Sequence, residues 1–224
     1  MTEPIIKGLI NKGSTALDVF ASTKSAFELI KAELLKLEQS LKAAINASDP
    51  RLQVVFEDRG HLEIHFKVAN EVLIFIMHPS VLTFDHSHPI LKLNYTKKDP
   101  LLAFCGMIYV YNFSADTFKF NREQDLGLLV ARIFVNKEKH FFMEGKKQIG
   151  LLYNRFDTDV VSEEKVNSML QDILQYCIDI DPQAMPYDSM IQTTLLEIKT
   201  RTSTNIETGK RFGFMMHTSK DSIK

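Results

Sequence analysis

Long apolar runs are missing from this chain. The longest, "VLIFIM" at residues 72–77, is far too short to cross a bilayer as a helix. An excess of one charge is missing too: 27 Lys and Arg stand against 28 Asp and Glu, so no global field draws nucleic acid or anionic lipid, and such binding would need a local patch. Cysteine is scarce. Cys105 in "LLAFCGMIYV" and Cys177 in "LQYCIDI" are each set among large apolar residues, where reduced, unreactive thiols are found. Residues 1–20 mix Lys7, Lys12 and Asp18 among glycines and lack the continuous apolar core of a secretory signal. These absences point to a soluble cytoplasmic protein. The glycosylation matches at Asn46, Asn94 and Asn112 then carry no meaning, because glycosylation requires secretion. No tract rich in Pro, Gly or Ser and no repeat marks a boundary, so residues 1–224 are expected to form a single α+β domain.

Familiar catalytic patterns are absent as well. The chain has no HExxH, no Cys-x-x-Cys, no nucleophile elbow and no dinucleotide fingerprint, and neither Gly-Lys pair is followed by Ser or Thr. One stretch does gather metal-ligand residues: "HPSVLTFDHSHP", residues 78–89, holds His78, Asp85, His86 and His88. On a strand, a His-x-His pair sets two imidazoles about 6.6 Å apart, close enough to share an ion. The further ligands that would complete a site do not follow, since Ile90 and Leu91 come next, and the two His-Pro steps mark turns. The expectation is therefore no metal and no cofactor, with His86 and His88 in or beside a turn. His61 and His65 lie about 13 Å apart on a strand and cannot share an ion. Asp125 with Glu144 and Lys146 has the wording of a magnesium nuclease, but "FMEGKKQIG" reads as a hairpin tip facing solvent.

What is present is periodicity. Residues 14–47 contain no proline and no interior glycine, and their apolar spacing predicts a long helix capped by Ser14 or Thr15 and stopped by "NASDP". "HLEIHFKV" alternates, and "AN" separates it from "EVLIFIM" as in a hairpin. Strand-like runs follow at "ILKLNY", "FCGMIYVYNF", "TFKF", "LLVARIFV", "HFFM" and "QIGLLY", joined by short polar turns. The expected architecture over residues 52–153 is an antiparallel meander of about six to eight strands. Two helices over residues 162–200 complete the fold, the first capped by Ser162 and carrying Val166, Met169, Leu170, Ile173, Leu174 and Cys177. The last 25 residues form either a hairpin around "ETGK" or a loose basic tail. From Lys199 onward, Lys199, Arg201, Lys210 and Arg211 beside Phe212 and Phe214 make a weak nucleic-acid candidate.

Along the long helix, Phe20, Thr23, Phe27, Ile30, Leu34, Leu37, Leu41 and Ala44 recur at spacings of three and four, the period of a coiled-coil seam. A plain alternative is that this stripe lies on the chain's own sheet. A helix near 50 Å would overhang strands of about 20 Å, which argues for a second copy. In a parallel pair Glu33 and Glu38 would face like charges, so an antiparallel homodimer is expected. The function this implies is non-catalytic: a protein-binding or scaffold homodimer whose contacts are Phe20, Phe27, Ile30, Leu34, Leu37 and Leu41. Two alternatives remain, a metal-dependent hydrolase at the histidine cluster and a carrier of small apolar ligands with a pocket between helix and sheet, which 16 Phe and nine Met would line adaptably.

Overall fold

The computed structural model describes residues 2–180 apart from 124 and 146–148, together with the backbone of 182–184 and 214–216. The chain opens with a 46-residue helix, α1 (Glu3–Ser48), about 70 Å long at 1.5 Å per residue. It begins eleven residues before the expected cap. Pro4 sits in its first turn, where a missing N–H costs nothing. Ser14 lies inside the helix and donates its hydroxyl back to the Asn11 carbonyl, so it does not cap. Gly8 and Gly13 lie inside the helix, and each weakens it by only about 1 kcal/mol.

Six strands follow in a simple meander, β1 (Val54–Asp58), β2 (Glu63–Val68), β3 (Glu71–Met77), β4 (Cys105–Ser114), β5 (Leu128–Asn136) and β6 (Phe141–Gly145), each antiparallel to the next. The β2–β3 hairpin turns at Ala69 and Asn70 with Val68 opposite Glu71, and Ala69 takes the left-handed conformation at φ 52°. A helix α5 (Glu163–Ile178) follows the sheet, and the Ser162 hydroxyl accepts the Lys165 N–H as its cap. The fold is thus α+β, with a long helix, an antiparallel sheet and a C-terminal helix. The described residues include no helix long and apolar enough to cross a membrane.

Three expected strands are helical turns instead. "ILKLNY" forms a 3-10 turn (Pro89–Lys92) and α2 (Asn94–Lys98), "TFKF" belongs to α3 (Ala115–Lys119), and "QIGLLY" contains α4 (Ile149–Leu152). Short apolar runs do not distinguish the two states by period, and local caps decide. The His88 ring accepts the Ile90 N–H and the Ser114 hydroxyl accepts the Asp116 N–H, each starting a turn. The second C-terminal helix expected at residues 189–199, the basic cluster Lys199, Arg201, Lys210 and Arg211, and the "ETGK" hairpin lie outside the described residues. Beyond α5, β7 (Pro182–Ala184) pairs antiparallel with β8 (Phe214–Met216).

Alternation along the strands gives the sheet two apolar faces. On one, Ile64, Phe66, Leu73, Phe75, Met77, Ile108, Val110 and Met143 pack against α1 and α5 in the main core. On the other, Cys105, Met107, Phe134 and Phe142 meet Ile90, Phe84 and Phe156 from the irregular segments. Burial leaves both thiols free and inert. It pushes the Cys105 thiol far up and raises Cys177 to about 12, with Glu71 adding to the second shift. In the native protein at neutral pH, alkylation of either cysteine should run on the order of a thousandfold slower than that of an exposed thiol. Rapid iodoacetamide labelling of folded protein, read by mass spectrometry, would contradict this.

Two fully buried asparagines behave differently. Asn136 spends both ends of its amide: Oδ1 accepts the Glu138 and His140 N–H groups, and Nδ2 donates to the Tyr95 hydroxyl and the Leu102 carbonyl. It fixes the β5–β6 turn. Asn112, opposite Leu73 and Leu128 on the core face, pairs neither Oδ1 nor Nδ2. Unpaired buried polar atoms cost about 1–3 kcal/mol each, whereas an apolar group of the same shape costs nothing in hydrogen bonding. Asn112→Leu should therefore stabilise by about 1–3 kcal/mol, seen as a higher denaturation midpoint at unchanged slope. A lower midpoint would mean that the amide has a bound partner in solution.

Candidate interaction surface

The histidine-rich segment is spread out and spends its polar atoms locally. His78 Nδ1 accepts the Ser80 N–H at 3.1 Å, and the Asp85 carboxylate accepts the Ser87 N–H at 2.9 Å and the Ser87 hydroxyl at 2.7 Å. Those two hydrogen bonds hold the Asp85 carboxyl below its usual range, with His88 adding a smaller electrostatic effect. His86 is exposed in a turn. His88 stacks on Phe84 with ring centroids 4.6 Å apart, and its Nε2 lies 3.4 Å from the Glu144 carboxylate. Glu144 also pairs with Arg132, so it sits on the sheet surface and not at a free hairpin tip; Asp125 instead engages Thr117 and Arg122. Among the described residues, no three His, Cys, Asp or Glu side chains come together as a metal ion would need. The other notable ionisable contacts are also local. Tyr153 donates to Asp172 at 2.6 Å, Tyr95 to Glu138 at 2.7 Å, and Lys165 pairs with Asp159. Burial raises both tyrosine hydroxyls, and the carboxylates they bond raise them further.

The helical seam belongs to the chain's own core. Phe27 and Leu34 are 0% exposed, Ile30 and Leu37 are buried beside them, and Leu41 packs at the margin, all on the α1 face that meets the sheet and α5. The stripe expected to meet a second chain is thus packed within the chain's own core. Of the six, Phe20 alone is substantially exposed. The physical reason is width: Val19, Ser22, Ala26 and Glu33 are buried alongside the seam, so the stripe is the broad face of a helix on a sheet. Glu33, expected to face a partner helix, lies at the contact between α1 and α5. It accepts from Lys36 at 2.6 Å and from Asn167 at 3.1 Å, and the Lys36 bond keeps its carboxyl ionised and its pKa lowered against the opposing effect of burial.

A different surface on the same helix is open. Residues 2–14 are exposed throughout, and they carry Ile5, Ile6, Leu9 and Ile10; Leu17 and Phe20 continue the stripe over the part of α1 that rests on the sheet. Leu9 is 69% and Leu17 73% exposed, high values for leucine in an ordered helix. At 100° per residue this stripe is centred about 110° around the helix from the core-facing residues, with Ile5 and Leu9 at its edge nearest the core face, in line with Thr23 and Phe27 further along. Sequence reading missed it because the helix start was placed at residue 14. Pro4 at a first helical position and the spacing Ile6, Leu9, Ile10, Gly13, Leu17 were the signals available. Comparison of the chain with protein-family models, with curated proteins and with solved structures finds no match.

Proposed function

We propose that this protein works by binding protein, as a cytoplasmic homodimer or scaffold element, and that it carries no catalysis of its own. The observation behind this reading is the exposed apolar stripe of α1, because soluble proteins seldom leave aligned large aliphatic side chains uncovered on a helix face. Light scattering at tens of micromolar should give about twice the 25.7 kDa of one chain, and a monomer would reject the homodimer. The competing readings have their own signatures. Stoichiometric transition metal in untagged protein, lost in a His86→Ala and His88→Ala double variant, would favour a hydrolase built on His78, Asp85, His86 and His88. Strong thermal stabilisation by one apolar compound in a ligand screen would favour a carrier.

A further inference from the structure

We infer that the stripe of Ile5, Ile6, Leu9, Ile10, Leu17 and Phe20 takes the same stripe of a second copy, in an antiparallel helix pair crossing at Gly13. The inference rests on the homodimer reading and names the surface that reading needs.

Four observations converge on a second copy. The first is area: the six residues expose on the order of 700 Å² per chain, so the most they can bury is just under the ~800 Å² each partner contributes to a standard interface. The second is self-complementarity. With Gly13 facing its own copy, Leu9 lies opposite Leu17 of the second copy, Ile6 opposite Phe20, and Ile10 opposite Ala16, so apolar meets apolar along the whole overlap. The third is room. Gly13 lies within the stripe, and a Cβ built there would meet no described atom within 4 Å, so two helices can approach closely at the crossing. The fourth is charge. Residues 3–20 hold Glu3 and Asp18 against Lys7 and Lys12, so the segment has no net positive charge to favour an anionic lipid surface.

Orientation follows from where the rest of the chain lies. The first buried residue of α1 is Thr15, so the body of each copy begins just past the crossing. A parallel pair would bring both bodies to the same end of the helices and press them together. An antiparallel pair puts them at opposite ends, and residues 3–11 of one copy then lie along Leu17 and Phe20 of the other.

Cysteine pairing on the full chain reads both the surface and its direction, since the native thiols are buried. Mixed Leu9→Cys and Leu17→Cys proteins should form a disulfide dimer under mild oxidation, and neither variant should do so alone, because like positions stand about 12 Å apart in this register. Self-linking of Leu9→Cys would mean a parallel pair and overturn the geometry. A Leu9→Glu and Leu17→Glu double variant should keep the wild-type circular dichroism spectrum and weaken self-association by roughly 30-fold or more. If that variant stays as dimeric as wild type, the inference fails and the homodimer reading survives; if wild-type protein is monomeric, both fail. Co-flotation of wild type with phosphatidylglycerol vesicles, abolished by the double variant, would make the occupant a lipid surface and likewise overturn the inference.

Discussion

Leu34→Glu is expected to unfold most of the protein, with a loss of upwards of about 4 kcal/mol, whether or not the chain is a dimer. Leu34 is 0% exposed, and the core around it is built from Ile30 and Leu37 on its own helix and from the apolar face of the sheet. Removing the leucine forfeits about 1.5–3 kcal/mol of burial, and a carboxylate placed there has no cation to meet it. Lys36 is already committed to Glu33 and Glu163. Since whole domains are stable by only about 5–15 kcal/mol, such a change removes much of what holds the native state. The neighbouring residue supplies the control. Leu35 is 44% exposed on the opposite side of α1, and Leu35→Glu should change stability by no more than about 0.5 kcal/mol. Urea denaturation of the two variants reads the difference. Equal midpoints would mean that the helix does not lie on the sheet in this rotation. The pair also shows why a seam mutation cannot test self-association: it would break the fold first.

Where local signals were redundant, the sequence was legible. α5 had a capping serine and an unbroken apolar period, and both agree with the helix found at Glu163–Ile178. β2 and β3 had alternation on one side and an apolar run on the other, with two residues between, which leaves few registers open. The segments that misled were short. "ILKLNY" and "TFKF" hold too few residues for a period, and the decisive information was the cap before them: His88-Pro89 ahead of one and Ser114 ahead of the other. Asp99-Pro100 marks a further 3-10 turn in the same way, with Asp99 accepting the Leu101 N–H. The helical seam had a correct period and an ambiguous destination, because the same spacing serves a partner helix and an underlying sheet. The open stripe was lost through the early glycines, which moved the predicted start past it.

Contacts across the fold were not legible at all, and Gly106 is the clearest of them. In a central strand a glycine weakens β structure unless something approaches it closely. Here that something is α1. A Cβ at Gly106 would fall 2.8 Å from Thr23 Cβ and 2.9 Å from its Cγ2, and closer still to its hydroxyl, which donates to the Val19 carbonyl at 2.7 Å. Thr23 is completely buried and its Cβ is fixed by the helix backbone, so relief requires lifting α1 from the sheet. Because α1 is a single rigid element here, lifting it at Thr23 also loosens Phe27 and Ile30. Gly106 has an ordinary backbone conformation, so the cost of a side chain there is contact alone. Gly106→Ala should therefore destabilise by about 1–3 kcal/mol, despite the few tenths to 1 kcal/mol gained by restricting the unfolded chain. Thr23→Gly should cost about 1 kcal/mol for a glycine in a helix, plus a share for lost packing. Together the two changes should cost less than the sum of the singles, by about 1–2 kcal/mol, because the new methyl enters the space the threonine leaves. Strictly additive denaturation midpoints would show that α1 does not cross β4 at this point, and with that the placement of its two faces, one on the sheet and one open, would fall as well.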